Sequence, residues 1–142
     1  MTRLLVTLSL LLLLIGTATW EHLLIDRSYS RLADDLGVLV AVMREQVEEA
    51  RAAGIDLKDA KIDTPENMAK AEAMYKFWRG RERRLVTVTR HFDLAQISDA
   101  LIYMKNFIEF GNAEEAFAGA RRLQYLIEAH LSNFAPNIQN VI

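Results

Sequence analysis

The stretch from Leu4 to Trp20 constrains this chain more than any other, because seventeen consecutive positions carry no charged side chain and are dominated by leucine. A backbone surrounded by hydrocarbon has to satisfy its own hydrogen bonds, and a helix does so within one segment. At about 1.5 Å per residue these positions reach roughly 25 Å, close to the lower limit for crossing a bilayer. Leu23, Leu24 and Ile25 extend the apolar face past Glu21 and His22, and Trp20 stands where an interfacial aromatic is expected. Two readings of residues 1–24 compete. One is a retained membrane anchor. The other is a cleaved secretory signal, with Leu4 to Ile15 as its apolar region and Gly16 and Ala18 small enough for a cleavage site. The helical pattern continues beyond Trp20 without a turn former, which favours the anchor. Arg3 and the amino terminus are positive, while Glu21 and Asp26 precede Arg27. The positive-inside bias therefore predicts a single-pass cell-membrane protein with a cytoplasmic N-terminus and an extracytoplasmic C-terminal domain, or a secreted one if the segment is removed.

Residues 25–142 suffice for one small domain. Charged residues make up 25% of the chain and apolar ones 51%, a balance that folds. The formal net charge of −2 lacks the basic excess of a nucleic-acid binder, so none is expected as a partner. With no cysteine, disulfides, thiolate metal sites and thiol nucleophiles are excluded. Two prolines and six glycines favour long helices over many short strands.

The spacing predicts an all-α chain. Ile25, Tyr29, Leu32, Leu36, Leu39, Met43, Val47 and Ala50 recur at steps of three and four as one stripe, closed by Gly54. Ile55 to Asp63 reads as a polar linker, and Thr64-Pro65-Glu66 as N-cap, proline at N1 and an acidic first turn. The second helix is expected to bury Met68, Ala71, Tyr75, Trp78, Leu85 and Thr89, with Glu82 interrupting that face. Leu85 to Thr89 has strand-like propensity, but no second strand is available to pair with it, so it is read as helix. Asp93 is the expected N-cap of the third helix, with Gln96 at N3 and Phe92 and Ile97 as a staple. Its stripe is Leu94, Ile97, Leu101, Met104 and Ile108. Gly111 ends it, and Asn112 with Glu115 caps the next helix, which carries Ala116, Phe117, Ala120, Leu123, Ile127, Leu131 and Phe134 until Pro136. Ile138, Val141 and Ile142 are spaced to dock one last turn. The short Gly111-Asn112 connection, with Ala113, Ala116 and Ala120 allowing close approach, predicts an antiparallel pair. The chain is thus expected to be an N-terminal transmembrane helix followed by two antiparallel helical hairpins, closed as a four-helix bundle or stacked like tetratricopeptide units.

Met1-Thr2-Arg3, Trp78, His91 with Asp93, Ile97 to Ile108, the turn Gly111-Asn112-Ala113-Glu114-Glu115-Ala116 and the end Asn140-Val141-Ile142 form a further pattern. It resembles the domain-of-unknown-function family 4363, small bacterial helical proteins with one N-terminal membrane segment. That family has no established activity. The resemblance implies architecture and anchoring and transfers no catalytic residue.

Three constellations carry candidate chemistry. His91 near Asp93 could serve a metal or a proton, but His22, His91 and His130 show no metal-site spacing, and a helix-cap junction explains the pair. Lys76, Arg79, Arg81, Arg83, Arg84 and Arg90 form a basic run that either binds anions or pairs with acids such as Asp34, Asp35, Glu45, Glu48 and Glu49 on a neighbouring helix. Tyr75, Phe77, Trp78 and Phe92 read mainly as core, with Phe77 lying off the stripe, exposed or covering the fourth helix. No phosphate loop, nucleophile–base pair or glycosidase-like carboxylate pair is visible. No enzyme activity, catalytic residue or cofactor is therefore expected. The leading expectation is a membrane-tethered helical interaction or scaffold module with a protein partner and its membrane contact at residues 4–20. Its candidate surface is Lys76, Phe77, Arg79, Arg83, Arg84 and Arg90. The alternative is an envelope-surface module binding anionic lipid or polyanion through the Arg79 to Arg90 face. A third class, a sensor bundle, needs an internal pocket with convergent polar groups. A retained anchor predicts that intact-mass measurement of the membrane fraction finds the full-length chain, whereas a species starting near Thr19 would show a cleaved signal.

Overall fold

The computed structural model describes residues 2–87 and 89–134. The described residues form four α-helices and no strand: α1 Thr2–Ala52, α2 Pro65–Leu85, α3 His91–Glu109 and α4 Ala113–Phe134, with a short 3-10 turn at Leu57–Asp59 between the first two. Pro136, Ile138, Asn140, Val141 and Ile142 lie outside the described residues, as does the side chain of Phe134.

The first helix is unbroken for 51 residues, roughly 75 Å at the usual rise. Its first part is apolar on every side, and Leu5 through Ile15 are exposed all round. Among the described residues one helix is thus long and apolar enough to cross a membrane, with a mean hydropathy of 1.7 over an 18-residue window. Two of its hydroxyls bond back to the helix. Thr17 donates to the carbonyls of Leu13 and Leu14, and Thr19 to that of Ile15 at 2.8 Å. This lowers the penalty of carrying them in hydrocarbon. From Ile25 onward the helix buries one face only. Ile25, Tyr29, Leu32, Leu36, Leu39, Met43 and Val47 are all buried, and Ala50 is half-buried against them.

Both sharp exits are set by glycine. Gly54 and Gly111 have φ of 77° and 67°, the left-handed region that side chains with a Cβ avoid. The amide of Ile55 reaches the Ala50 carbonyl and that of Gly54 the Arg51 carbonyl. Asn112 and Gly111 repeat this on Phe107 and Ile108. The bonds satisfy carbonyls that the helix ends would otherwise leave orphaned.

Helix α1 packs on α2 and α4, and α3 packs on the same two. Helices α3 and α4 approach closely at Gly119. Ala113, Ala116, Gly119 and Ala120 are buried on α4, and a Cβ on Gly119 would stand 3.0 Å from the Met104 Cα of α3. The importance of Gly119 is not apparent from periodicity.

Several local expectations are corrected. Helix α2 ends at Leu85, and Val86 and Thr87 form a turn rather than more helix. Thr87 donates its hydroxyl to the Arg84 carbonyl at 2.8 Å, competing for a helix acceptor. The buried face of α2 is Asn67, Ala71, Met74, Trp78 and Leu85, while Met68 and Tyr75 are half-exposed. A polar clamp helps set this rotation, since fully buried Asn67 donates to Gln46 at 2.6 Å and to the Ile62 carbonyl at 2.9 Å. Helix α3 starts at His91, two residues before the expected cap. Arg90 stands at the N-cap with no side-chain bond, and its carbonyl accepts from Asp93 and Leu94. Asp93 instead occupies the first turn, and Phe92 is 70% exposed and forms no staple. Asn112 does cap α4 by accepting from the Glu115 amide at 3.1 Å, but the Glu115 side chain takes the Tyr103 hydroxyl.

Alanine in place of a helical glycine ordinarily adds about 1 kcal/mol of helix stability. Gly119→Ala should instead destabilise the protein by about 1–2 kcal/mol, because α3 has to shift to admit the methyl group. Denaturant unfolding of the full chain in detergent, followed by Trp78 emission, measures the sign.

Candidate functional site

The basic run does not form one patch. On α2, at about 100° per residue, Lys76, Arg79 and Arg83 share one face, while Phe77, Arg81 and Arg84 share another that lies towards α1. Lys76 is exposed and paired with Glu72 at 3.4 Å. Arg79 is held by Glu82 at 2.6 Å. Phe77 is half-buried and does not cover α4. Arg31 of α1 lies 4.5 Å above its ring and Arg81 lies 5.5 Å from it. Arg83, Arg84 and Arg90 are exposed and make no ion pair among the described residues. The acids expected to neutralise the run from a neighbouring helix do not do so. The paired residues find partners on their own helix, and Asp35 is engaged by Arg31 at 3.8 Å.

The half-buried carboxylate of Glu82 explains the break in the α2 stripe. It accepts from Ser98 of α3 at 2.9 Å, and Ser98 accepts from the Trp78 indole at 2.8 Å. Trp78 meets Tyr29 edge to face at 5.5 Å, and Tyr29 stacks on His130 at 4.8 Å. One chain of contacts therefore joins α2, α3, α1 and α4 at the end of the domain nearer the apolar segment. Burial, reinforced by the Asp93 charge, drives the Tyr29 phenol well above its ordinary pKa. Its hydroxyl has no hydrogen-bond partner among the described residues.

The histidine facing Asp93 is His130 rather than His91. His91 is exposed, whereas the His130 Nε2 lies 4.0 Å from the Asp93 carboxylate. That separation is too long for a hydrogen bond. Burial lowers the His130 pKa, and the attraction of Asp93 only partly offsets it. Among the described residues no three His, Asp or Glu side chains gather as a metal site.

Two apolar hollows of about 390 and 170 Å³ lie between α1 and α4 and share Val40 and Gln124. They run from Ala33 and Leu131 at one end to Leu57 and Phe117 at the other. A smaller hollow of about 150 Å³ lies where α2 ends against α1, between Trp20, Leu23, Leu24, Arg27, Arg81 and Arg84. A groove between the hairpins is a natural expectation for this architecture, but sequence reasoning missed Arg27 and the residues that line the α1–α4 groove. Trp20 and Arg27 share a face by their spacing of seven, but nothing local signals that the end of α2 returns to them.

No protein-family model, curated protein or solved structure matches this chain. These comparisons lend no support to the family resemblance.

His130 gives a signed prediction. Its folded pKa lies below the ordinary value of about 6.5, so the unfolded chain binds the extra proton first. The stability it contributes is fully present above that pH and is lost as pH falls. The unfolding midpoint of the full chain in detergent should drop on going from neutral pH towards pH 5. His130→Gln should start lower, through loss of the Tyr29 stack, and show a flatter slope over that window.

Proposed function

We propose that the protein is a membrane-tethered helical interaction module whose α1–α4 groove receives an amphipathic helix of a partner protein. The observation that carries the reading is the groove itself. It follows α1 from Ala33 to Arg51, roughly 27 Å of helix, which matches about five turns of a ligand helix. Its floor is Leu36, Val40, Val47, Ala120 and Ile127, and its rim carries Arg44, Glu48, Arg51, Arg121 and Glu128. An apolar floor with a mixed-charge rim suits a helix presenting apolar residues at steps of three and four. The role is binding rather than catalysis, since the Glu82–Ser98–Trp78 cluster is consumed by its own hydrogen bonds.

In this reading Leu4 to Trp20 is an uncleaved single-pass anchor, with the N-terminus cytoplasmic and the folded domain on the other side. The helices form two antiparallel hairpins closed as a four-helix bundle. The packing of α1 on both α2 and α4 supports closure over an open tetratricopeptide-like stack. Tethering holds the groove at the bilayer surface and raises its effective concentration for partners in the same membrane.

A photo-crosslinking residue at Gln124 should capture a discrete partner in intact membranes, while the same residue at exposed Asp99 on α3 should not. Val40→Asp should reduce the Gln124 adduct about tenfold or more, as expected for a charge on a groove floor. Equal labelling from the two positions would sink the proposal.

A further inference from the structure

The small hollow at the root of the domain combines three features that phosphate recognition needs. First, it is cationic. Arg27, Arg81 and Arg84 line it, no acid does, and none of the three forms an ion pair among the described residues. Glu21 and Asp26, the nearest acids along α1, lie about 110° to either side of the lining face at the helical 100° per residue. Second, it has an apolar edge, made by Trp20, Leu23 and Leu24. Third, its depth is fixed by the helix that carries it. Trp20 ends the apolar run, and Leu23 to Arg27 rise roughly 4.5–10 Å above it. Headgroups occupy about 5–8 Å on each side of the hydrocarbon. Because α2 folds back along α1, Arg81 and Arg84 arrive at that same level from a distant part of the sequence.

We propose that this pocket binds the phosphate of an anionic phospholipid headgroup, with the lipid's glycerol and upper acyl chains against Trp20 and Leu23. Arginine suits the task because its planar fork donates two parallel hydrogen bonds to phosphate oxygens. The arrangement joins α2 to the bilayer surface through a shared lipid. The inference rests on the reading of Leu4 to Trp20 as a membrane anchor and is independent of any partner in the α1–α4 groove.

The test uses the full chain reconstituted into vesicles of phosphatidylcholine and phosphatidylglycerol at fixed mole fractions, with either lipid brominated in turn. Bromine quenches nearby tryptophan. Trp20 is 68% exposed and Trp78 fully buried, and Trp20→Phe isolates the Trp78 background. Per mole of brominated lipid, Trp20 emission should be quenched roughly twofold or more strongly by phosphatidylglycerol than by phosphatidylcholine, given the attraction of several surface cations. The double variant Arg81→Gln/Arg84→Gln should bring that ratio to one and leave the thermal unfolding transition unchanged. Both side chains lie outside the buried core, so the fold survives their loss. A ratio of one in the unaltered protein, or an undiminished ratio in the double variant, would overturn the proposal. Millimolar inorganic phosphate at constant ionic strength should leave the ratio intact, and its abolition there would assign the pocket to a soluble anion instead. Failure of the chain to enter vesicles of either composition would remove the anchor reading as well, an outcome distinct from entry without preference.

Discussion

One unbroken helix, α1, imposes order on everything else in this protein. Its two halves make opposite demands. The first is apolar on every side and finds no protein surface to cover it. The second buries a single stripe, from Ile25 to Val47, and leaves its other faces to solvent. The backbone hydrogen bonds run through the junction without a break, so the direction of the first half fixes that of the second. Helices α2 and α4 pack along the stripe, and α3 packs against them on the side away from α1. The glycines at 54 and 111 reverse the chain where those packing partners have to begin.

The polar groups are divided between the two ends of the domain. At the far end, Asn67 ties α2 to α1 and to the loop at Ile62. At the near end, the Trp78 indole, Ser98 and Glu82 join α2 to α3, while the stacked rings of Tyr29 and His130 join α1 to α4. Each is a directional contact at a place where apolar packing alone would allow a helix to rotate or slide. Beyond the Tyr29–His130 stack, none of these networks ties α1 to α4, and it is along that untied stretch that the longest apolar groove opens.

Periodic features were legible in the sequence and contingent ones were not. The α1 stripe and the α3 positions Leu94, Ile97, Leu101, Met104 and Ile108 are buried as their spacing implies, because a helix with one apolar face has few ways to hide it. Thr64-Pro65 and Asn112 also start helices as expected, since capping is local chemistry. Helix α2 was misread by a small rotation because its face is decided partly by hydrogen bonds to residues twenty or so positions away, at Gln46 and Ser98. The expected Asp93 start is displaced to His91, and the Asp93 carboxylate lies in the first turn, 4.0 Å from His130 on another helix. Of the candidate surface residues, Arg83, Arg84 and Arg90 are open to solvent, while Lys76 and Arg79 are already paired. Spacing along one helix could not separate these cases, because the outcome depends on which acids share the helix face and on where α1 lies.

A continuous shaft without a hinge is also a lever. From Trp20 to Ala52 the helix runs roughly 48 Å. Membrane helices commonly lean by about 20° and adjust their lean to bilayer thickness. A change of ten degrees at the apolar segment would carry the Gly54 end sideways by roughly 8 Å. In the proposed anchored arrangement no flexible linker would absorb that motion, and the height and facing of the groove above the surface would become a mechanical readout of the bilayer holding the shaft.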